Sequence, residues 1–471
     1  MITHICLSDL HAGASNSFLM DIPFGGHHSP VTGHFANALN AFLRAARQDR
    51  NAPRPQLILL GDVFDLQFSD TTIAMQNAVG FLQSLAQIEH LSQRVMATAG
   101  NHDHSLWTDA RLGLEIDPGV PVDHKRATPA FSETPGAQSR MLQLVLTQAG
   151  FETQDFRYPN IGFANDERSV VLHHGHFAES EYLAISHLIN KLRSGPPRDL
   201  TVGDVAAENA GWIDFLWPSI GQTGFGQTFS DGFQQLLTTT GFRRMSARLT
   251  EIVTESLGEA LPMSGNMELR ALIGMVTRAG FDASLGRMVD TSRYYERAAL
   301  SPDGIDALET YLAGPVARQI VDEKGALPDD ITFVFGHTHK PFADRMAVPK
   351  YPTPVKIHNS GGWVLNGTRF DTRKGASMIL IDDALHVAQV QLFSTPQNGT
   401  IPPPEVTVLD HESPAPAAFK AEVEEWLKAS QTEWAALTEA ATQSYARMQH
   451  QLLELTKADI ADGTLPEGGA A

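Results

Sequence analysis

Five short polar clusters could carry chemistry in this chain. Asp9 and His11 form Asp-x-His, and Asp62 opens Gly-Asp-x-x-Asp, which Asp65 closes. Gly100-Asn101-His102-Asp103 is the third cluster, His174-Gly175-His176 the fourth and Gly336-His337-Thr338-His339 the fifth. Carboxylates, imidazoles and an amide oxygen are the donors that hard and borderline divalent metals prefer. Two such metals ~3.5–4 Å apart need a shared carboxylate and can clamp a phosphoryl group between them. A lone Asp-x-His is common by chance. Five clusters in series are not explained by turns and caps alone.

Each cluster ends an apolar run of strand length. "ITHICL" leads into "SDLHAG", "QLILL" into "GDVFD", "RVMATA" into "GNHDH", "SVVL" into "HHGH", and "ITFVF" into "GHTHK"; "VKIH" similarly precedes "NSGGW". Buried strands of α/β sheets have this form, and ligands bind at their carboxyl ends. Helical periodicity at 34–48 and 72–89 lies between the runs, and "ASMILI", a turn at Asp382-Asp383 and "ALHVAQVQLF" read as a late hairpin. The fold class expected is α/β, a layered sandwich.

That domain is interrupted. From 178 to 330 the sequence shows helical patterns (179–193, 204–217, 242–260, 266–280, 284–300 and 304–324) and no convincing strand. An insertion at this place can overhang the site as a cap, with Trp212, Phe215, Trp217, Arg293, Tyr294 and Tyr295 as candidate substrate readers, or serve as a peripheral packing or oligomer module. After Pro-rich punctuation, apolar residues from Phe419 to Leu455 recur at steps of three and four, as in one long amphipathic helix or a pair. The expected division is a discontinuous core of 1–177 plus 331–395, an inserted helical module of 178–330, and a linker with a C-terminal helical extension over 396–471. The Trp426, Trp434 and Leu437 stripe can pack on the chain's own core or pair two copies into a homodimer.

The 471 residues include one cysteine, Cys6, and carry a net charge of −19 with histidine neutral. One cysteine permits no disulfide framework, which fits a reducing compartment. The first residues lack the pattern of a secretion signal, and no apolar stretch approaches the ~20 residues of a membrane span. The expected location is cytoplasmic. The negative charge argues against long nucleic acid as a partner, but not against a small anionic substrate once metals dominate locally.

Motif for motif, the five clusters resemble the calcineurin-like metallophosphoesterase superfamily, over about residues 1–177 and 331–395. The resemblance implies an αββα sandwich and a pair of divalent metals, manganese first, with iron or zinc as alternatives. It implies that Asp62 bridges the metals, that Asp9, His11 and His339 complete one site, and that Asn101, His174 and His337 complete the other. A hydroxide bridging the metals would attack phosphorus, His102 would act on the leaving oxygen, and Asp65 would hold the His102 ring. In the family the histidine directly before the glycine is the ligand, which selects His174. His173 should face the opposite side of its strand; His176, just past the glycine, is a candidate substrate contact, and His104 is either a residue at the edge of the site or one in an exposed loop.

The substrate is less legible. "GHTHKP" followed by "NSGGW" is similar to a stretch of bacterial UDP-2,3-diacylglucosamine pyrophosphatases, whose third motif carries Arg where this chain has His102. Leu66 follows Asp65, so the GDxxDRG signature of protein phosphatases is absent. The expected activity is metal-dependent hydrolysis of a phosphate ester, phosphodiester or pyrophosphate bond in a small molecule. The alternatives are a nuclease of the same chemistry, using arginines such as Arg243, Arg244, Arg293 and Arg297, and a non-catalytic scaffold.

Overall fold

The computed structural model describes residues 1–20, 29–46, 53–67, 69–193, 195–196, 198–216, 298–365 and 374–461. Three of the helical patterns expected in the insertion, at 242–260, 266–280 and 284–300, lie essentially outside these residues. So do the candidate readers Trp217, Arg293, Tyr294 and Tyr295 and the arginines named for a nuclease.

The first half alternates strand and helix: β1 (Ile2–Leu7), α1 (Pro30–Ala46), β2 (Gln56–Leu60), α2 (Thr71–Ala86), β3 (Arg94–Thr98), α3 (Ser105–Ile116), α4 (Arg140–Ala149) and β4 (Thr153–Phe156). The strands β1 to β4 run parallel, joined by crossover connections that carry helices. Next come β5 (Asn160–Ala164) and β6 (Arg168–His173), followed by the insertion, with α5 (Ala184–Leu192), α6 (Val202–Leu216), α7 (Pro302–Tyr311) and α8 (Ala317–Lys324). The chain then returns through β7 (Asp330–Phe335), β8 (Phe342–Met346), β9 (Val355–Asn359), β10 (Gly375–Asp382), β11 (Val387–Ser394) and β12 (Glu405–Thr407).

Among the described residues the strands form two sheets, ordered β12-β11-β10-β1-β2-β3-β4 and β5-β6-β7-β9-β8. Alternation along each strand divides the apolar residues between two layers. Cys6, Ile58, Leu60, Met96 and Ile379 of the first sheet meet Ile161, Val170, Leu172 and Val334 of the second in one buried cluster. Their neighbours Ile5, Leu7, Leu57, Leu59 and Val95 face the other way, into the layer that holds Phe35, Leu39 and Phe42 of α1. On the far side, Val171, Phe333 and Phe335 belong to the layer that holds Leu308 and Tyr311 of α7. The architecture is the αββα sandwich.

The insertion leaves after β6 and returns into β7, its parallel neighbour. Its outgoing end therefore lies beside the clusters at the carboxyl edge of the second sheet, and its returning end enters β7 at the opposite, amino edge. The C-terminal pattern forms a pair of helices, α9 (Pro414–Ala429) and α10 (Gln431–Ala461), broken at Ser430. Trp426 meets Phe42 of α1 edge-on at 5.9 Å, and Trp434 meets Phe35 and Phe42 at 6.5 and 6.3 Å. Leu437 is also buried. The stripe that could have paired two copies is thus covered by the chain's own α1. No helix of the described residues is long and apolar enough to cross a membrane.

Candidate metal centre

All five clusters sit at the carboxyl ends of interior strands. Asp9 and His11 follow β1, Asp62 follows β2, Asn101 and His102 follow β3, His174 follows β6, and His337 and His339 follow β7. The chain turns sharply at these points. Asp9, His11, Asp62, His337 and His339 hold φ between 46° and 68°, a region non-glycine residues seldom occupy. Such conformations gather where tertiary packing enforces a functional geometry. Two glycines make the approach possible: a Cβ on Gly100 would lie 2.1 Å from Asp62 Oδ1, and one on Gly336 would lie 2.1 Å from Asp9 Oδ2.

Backbone hydrogen bonds join the loops. Asp9 N donates to Gly61 O (3.1 Å), His11 N to Asp62 O (2.9 Å) and Gly336 N to His174 O (2.7 Å). The buried Asp103 carboxylate accepts from Gly100 N (2.7 Å), Val63 N (2.8 Å) and Asp62 N (3.2 Å), tying the second loop to the third. Both Asp9 oxygens accept from His337 N, at 2.9 and 3.0 Å.

The side chains converge. His11 Nε2 lies 3.1 Å from His339 Nε2, and His339 Nε2 lies 3.4 Å from Asp9 Oδ1. His174 Nε2 lies 3.2 Å from Asn101 Oδ1 and 3.3 Å from Asp62 Oδ2. Asp62 Oδ2 is also 3.6 Å from His11 Nε2. Asp62 Oδ1 accepts from His102 N at 2.8 Å, whereas Oδ2 is buried with no hydrogen-bond partner. Imidazole nitrogens face this buried oxygen, and a shared cation would satisfy the carboxylate and the rings together. Three groups have ligand atoms within 4.8 Å of one another: Asp9, His11 and His339; His11, Asp62 and His102; and Asp62, His174 and His337. Asp62 and His11 each belong to two groups. This donor set fits divalent metals of the hard-to-borderline class.

The calcineurin-like phosphoesterase family model matches residues 2–231. This span is a calcineurin-like phosphoesterase domain, of the metallophosphoesterase superfamily. The chain is a metal-dependent phosphoester hydrolase. The matched span of this metallophosphoesterase ends before Gly336, and it is the parallel pairing of β6 with β7 that brings the fifth cluster to the other four. No curated protein matches the chain.

Electrostatics agree with a cation site. Burial disfavours a charged His174, but the Asp62 and Asp9 carboxylates outweigh it and raise the ring to about 9. Burial and the nearby Asp62 charge lift Asp9 to about 7, although His174 opposes them. Burial also works against ionised Asp62, yet His174, His102 and His11 keep it well below the ordinary carboxylate range.

His102 Nδ1 lies 3.1 Å from Asp65 Oδ1. His173 is buried against Phe177 and Tyr311, and its Nδ1 accepts from Gly175 N at 2.8 Å, which places it off the cluster. His176 is buried and belongs to none of the three metal-competent groups; its Nε2 is 3.1 Å from Tyr158 OH. His104 is buried rather than lying in an exposed loop, with partners at both ring nitrogens.

Glu179 was not anticipated from the sequence. It is 5% exposed, and its Oε2 lies 3.1 Å from His337 Nε2. An isolated Glu two residues into an expected helical module carries no signal of its own. Only the fold shows that the first turn of the insertion reaches back to the fifth cluster.

Proposed function

We propose that the chain uses two divalent metals to hydrolyse a phosphate ester, phosphodiester or pyrophosphate bond in a small molecule. The observation that carries this reading is Asp62 Oδ2, a buried carboxylate oxygen faced by imidazole nitrogens from two sides. In this reading Asp62 is shared, Asp9, His11 and His339 hold one metal, and Asn101, His174 and His337 hold the other. Bound metals supply Lewis acidity toward the phosphoryl oxygens and a nucleophile at neutral pH. His102 lies beside His11 and Asp62. With Asp65 accepting from its Nδ1–H, its Nε2 is the atom that works on the leaving oxygen. Manganese is the metal we propose, with iron and zinc sharing its donor chemistry. The core is residues 1–177 plus 331–395, and the inserted 178–330 covers the site and reads the non-phosphate part of the substrate. The proposed location is cytoplasmic.

The experiment compares p-nitrophenyl phosphate, its bis-ester and single-stranded DNA as substrates of the metal-loaded enzyme. Turnover of either aryl ester well above that of DNA supports the small-molecule reading. DNA hydrolysed faster than both rejects it.

Two further outcomes follow from the geometry. Glu179 and His337 form a carboxylate–imidazole pair of the kind that orients metal ligands. Glu179→Gln is therefore expected to weaken metal binding about 10-fold, measured by titration calorimetry. An unchanged affinity would show that the pair has no bearing on the metal.

The second concerns pH. A metal needs bare His174 nitrogen, and in the metal-free protein that ring stays charged up to about 9. Metal loading at neutral pH should therefore release protons, and apparent affinity should rise as pH increases toward that value. Calorimetry in buffers of different ionisation enthalpy measures the release. A heat of binding independent of the buffer would contradict it.

A further inference from the structure

Beyond the metal cluster, four buried or half-buried polar side chains form an unbroken chain. Asp214 Oδ1 is 2.7 Å from His104 Nδ1, His104 Nε2 is 3.0 Å from Tyr158 OH, and Tyr158 OH is 3.1 Å from His176 Nε2. Asp214 lies on the inserted helix α6, with its side chain 34% exposed and its second oxygen accepting from Thr108 Oγ1 at 2.8 Å. The other three residues are almost wholly buried. The Tyr158 ring stacks on Trp107 at 4.8 Å, so its hydroxyl has little freedom to look elsewhere.

With His104 neutral, donor and acceptor capacity sets the direction of this chain. An ionised carboxylate only accepts, so His104 Nδ1–H donates to Asp214. A neutral His104 then carries its lone pair on Nε2, and the single phenolic proton of Tyr158 points to it. Tyr158 O is left as an acceptor, so His176 must be protonated on Nε2. Its Nδ1 carries the lone pair, and that atom is buried with no hydrogen-bond partner.

What His176 pins matters more than its own contacts. It lies between two residues that act on the centre: His174, and Glu179, which bonds His337. The backbone between them is tightly folded, with Gly175 at φ 128° and Glu179 N donating to His176 O at 3.1 Å. Holding the His176 ring therefore holds the whole turn. We propose that Asp214, His104 and Tyr158 are positioning residues that lock His176 in its Nε2–H form, so that docking of the inserted helix α6 sets the geometry, and hence the metal affinity, of the His174–Glu179 turn.

This proposal rests on His174 and His337 being metal ligands, but half of its test does not. The tautomers of His176 and His104 are read by long-range ¹H–¹⁵N correlation on the metal-free protein and on its zinc-loaded, diamagnetic form. The native protein should show His176 protonated on Nε2 with Nδ1 bare, and His104 protonated on Nδ1. Tyr158→Phe keeps the stacked ring and removes only the hydroxyl; it should mix the His176 tautomers and weaken zinc binding about 3- to 10-fold, the size of one hydrogen bond. Asp214→Ala, at a partly exposed position that should tolerate the change, should mix the His104 tautomers and weaken zinc in the same direction. A loss of packing alone would lower Tm without changing the tautomer pattern of the folded protein. A native His176 protonated on Nδ1, a doubly protonated His104, or unchanged zinc affinity in both variants would overturn the proposal. Failure of the native protein to bind zinc at all would instead reject the metal-centre reading, with the tautomer result still legible.

Discussion

Asp62→Asn is expected to abolish phosphoester hydrolysis and to bring bound metal down from about two ions per chain, because one carboxylate supplies charge to both. The substitution is nearly isosteric, and Oδ1 can still accept from His102 N, so the loop should keep its shape. What changes is Oδ2, the buried atom between His11 and His174. In the Asn variant an uncharged oxygen or an amide nitrogen faces those rings. Metal content by mass spectrometry, alongside turnover of an aryl phosphate, checks the outcome. Near-native turnover would reject a shared carboxylate at this position.

His102→Ala should have the second largest effect, and of a different kind. Both metals should stay, because His102 is tethered to Asp65 rather than needed to complete either site. Turnover of esters with poor leaving groups should fall by roughly two to four orders of magnitude, the range of general acid catalysis. The loss should be much smaller for p-nitrophenyl phosphate, whose leaving group needs little protonation. Equal losses on both substrates would mean that His102 binds the phosphoryl group instead. Loss of a metal ion would make it a ligand, as its proximity to His11 and Asp62 would allow.

The interior of the fold was legible in the sequence because buried parallel strands must be apolar on both faces. β1, β2, β3, β6, β7 and β9 all appear as short apolar runs that break into polar clusters. The strands that were not legible are β4, β5, β8 and β12, and each lies at the edge of its sheet. Edge strands are short and tolerate polar residues, as in "TQDF" and "FADRM". The same division holds at the site. Asp9, His11, Asp62, Asn101, His174, His337 and His339 stand out because their residue types recur at strand ends. Glu179, Tyr158 and Asp214 do not, since each acquires its contact with the site through long-range packing. Asp103 was visible only as part of its cluster, and its work of joining two loops through their backbone N–H groups appears only in three dimensions.

The most direct test of a dinuclear hydrolase is to remove the metals and restore them by titration. Chelated, dialysed protein should bind about two manganese ions per chain, lose aryl phosphatase activity when stripped, and regain it as the second equivalent is added. Full activity in rigorously metal-free protein, or activity that saturates at one equivalent, would contradict it.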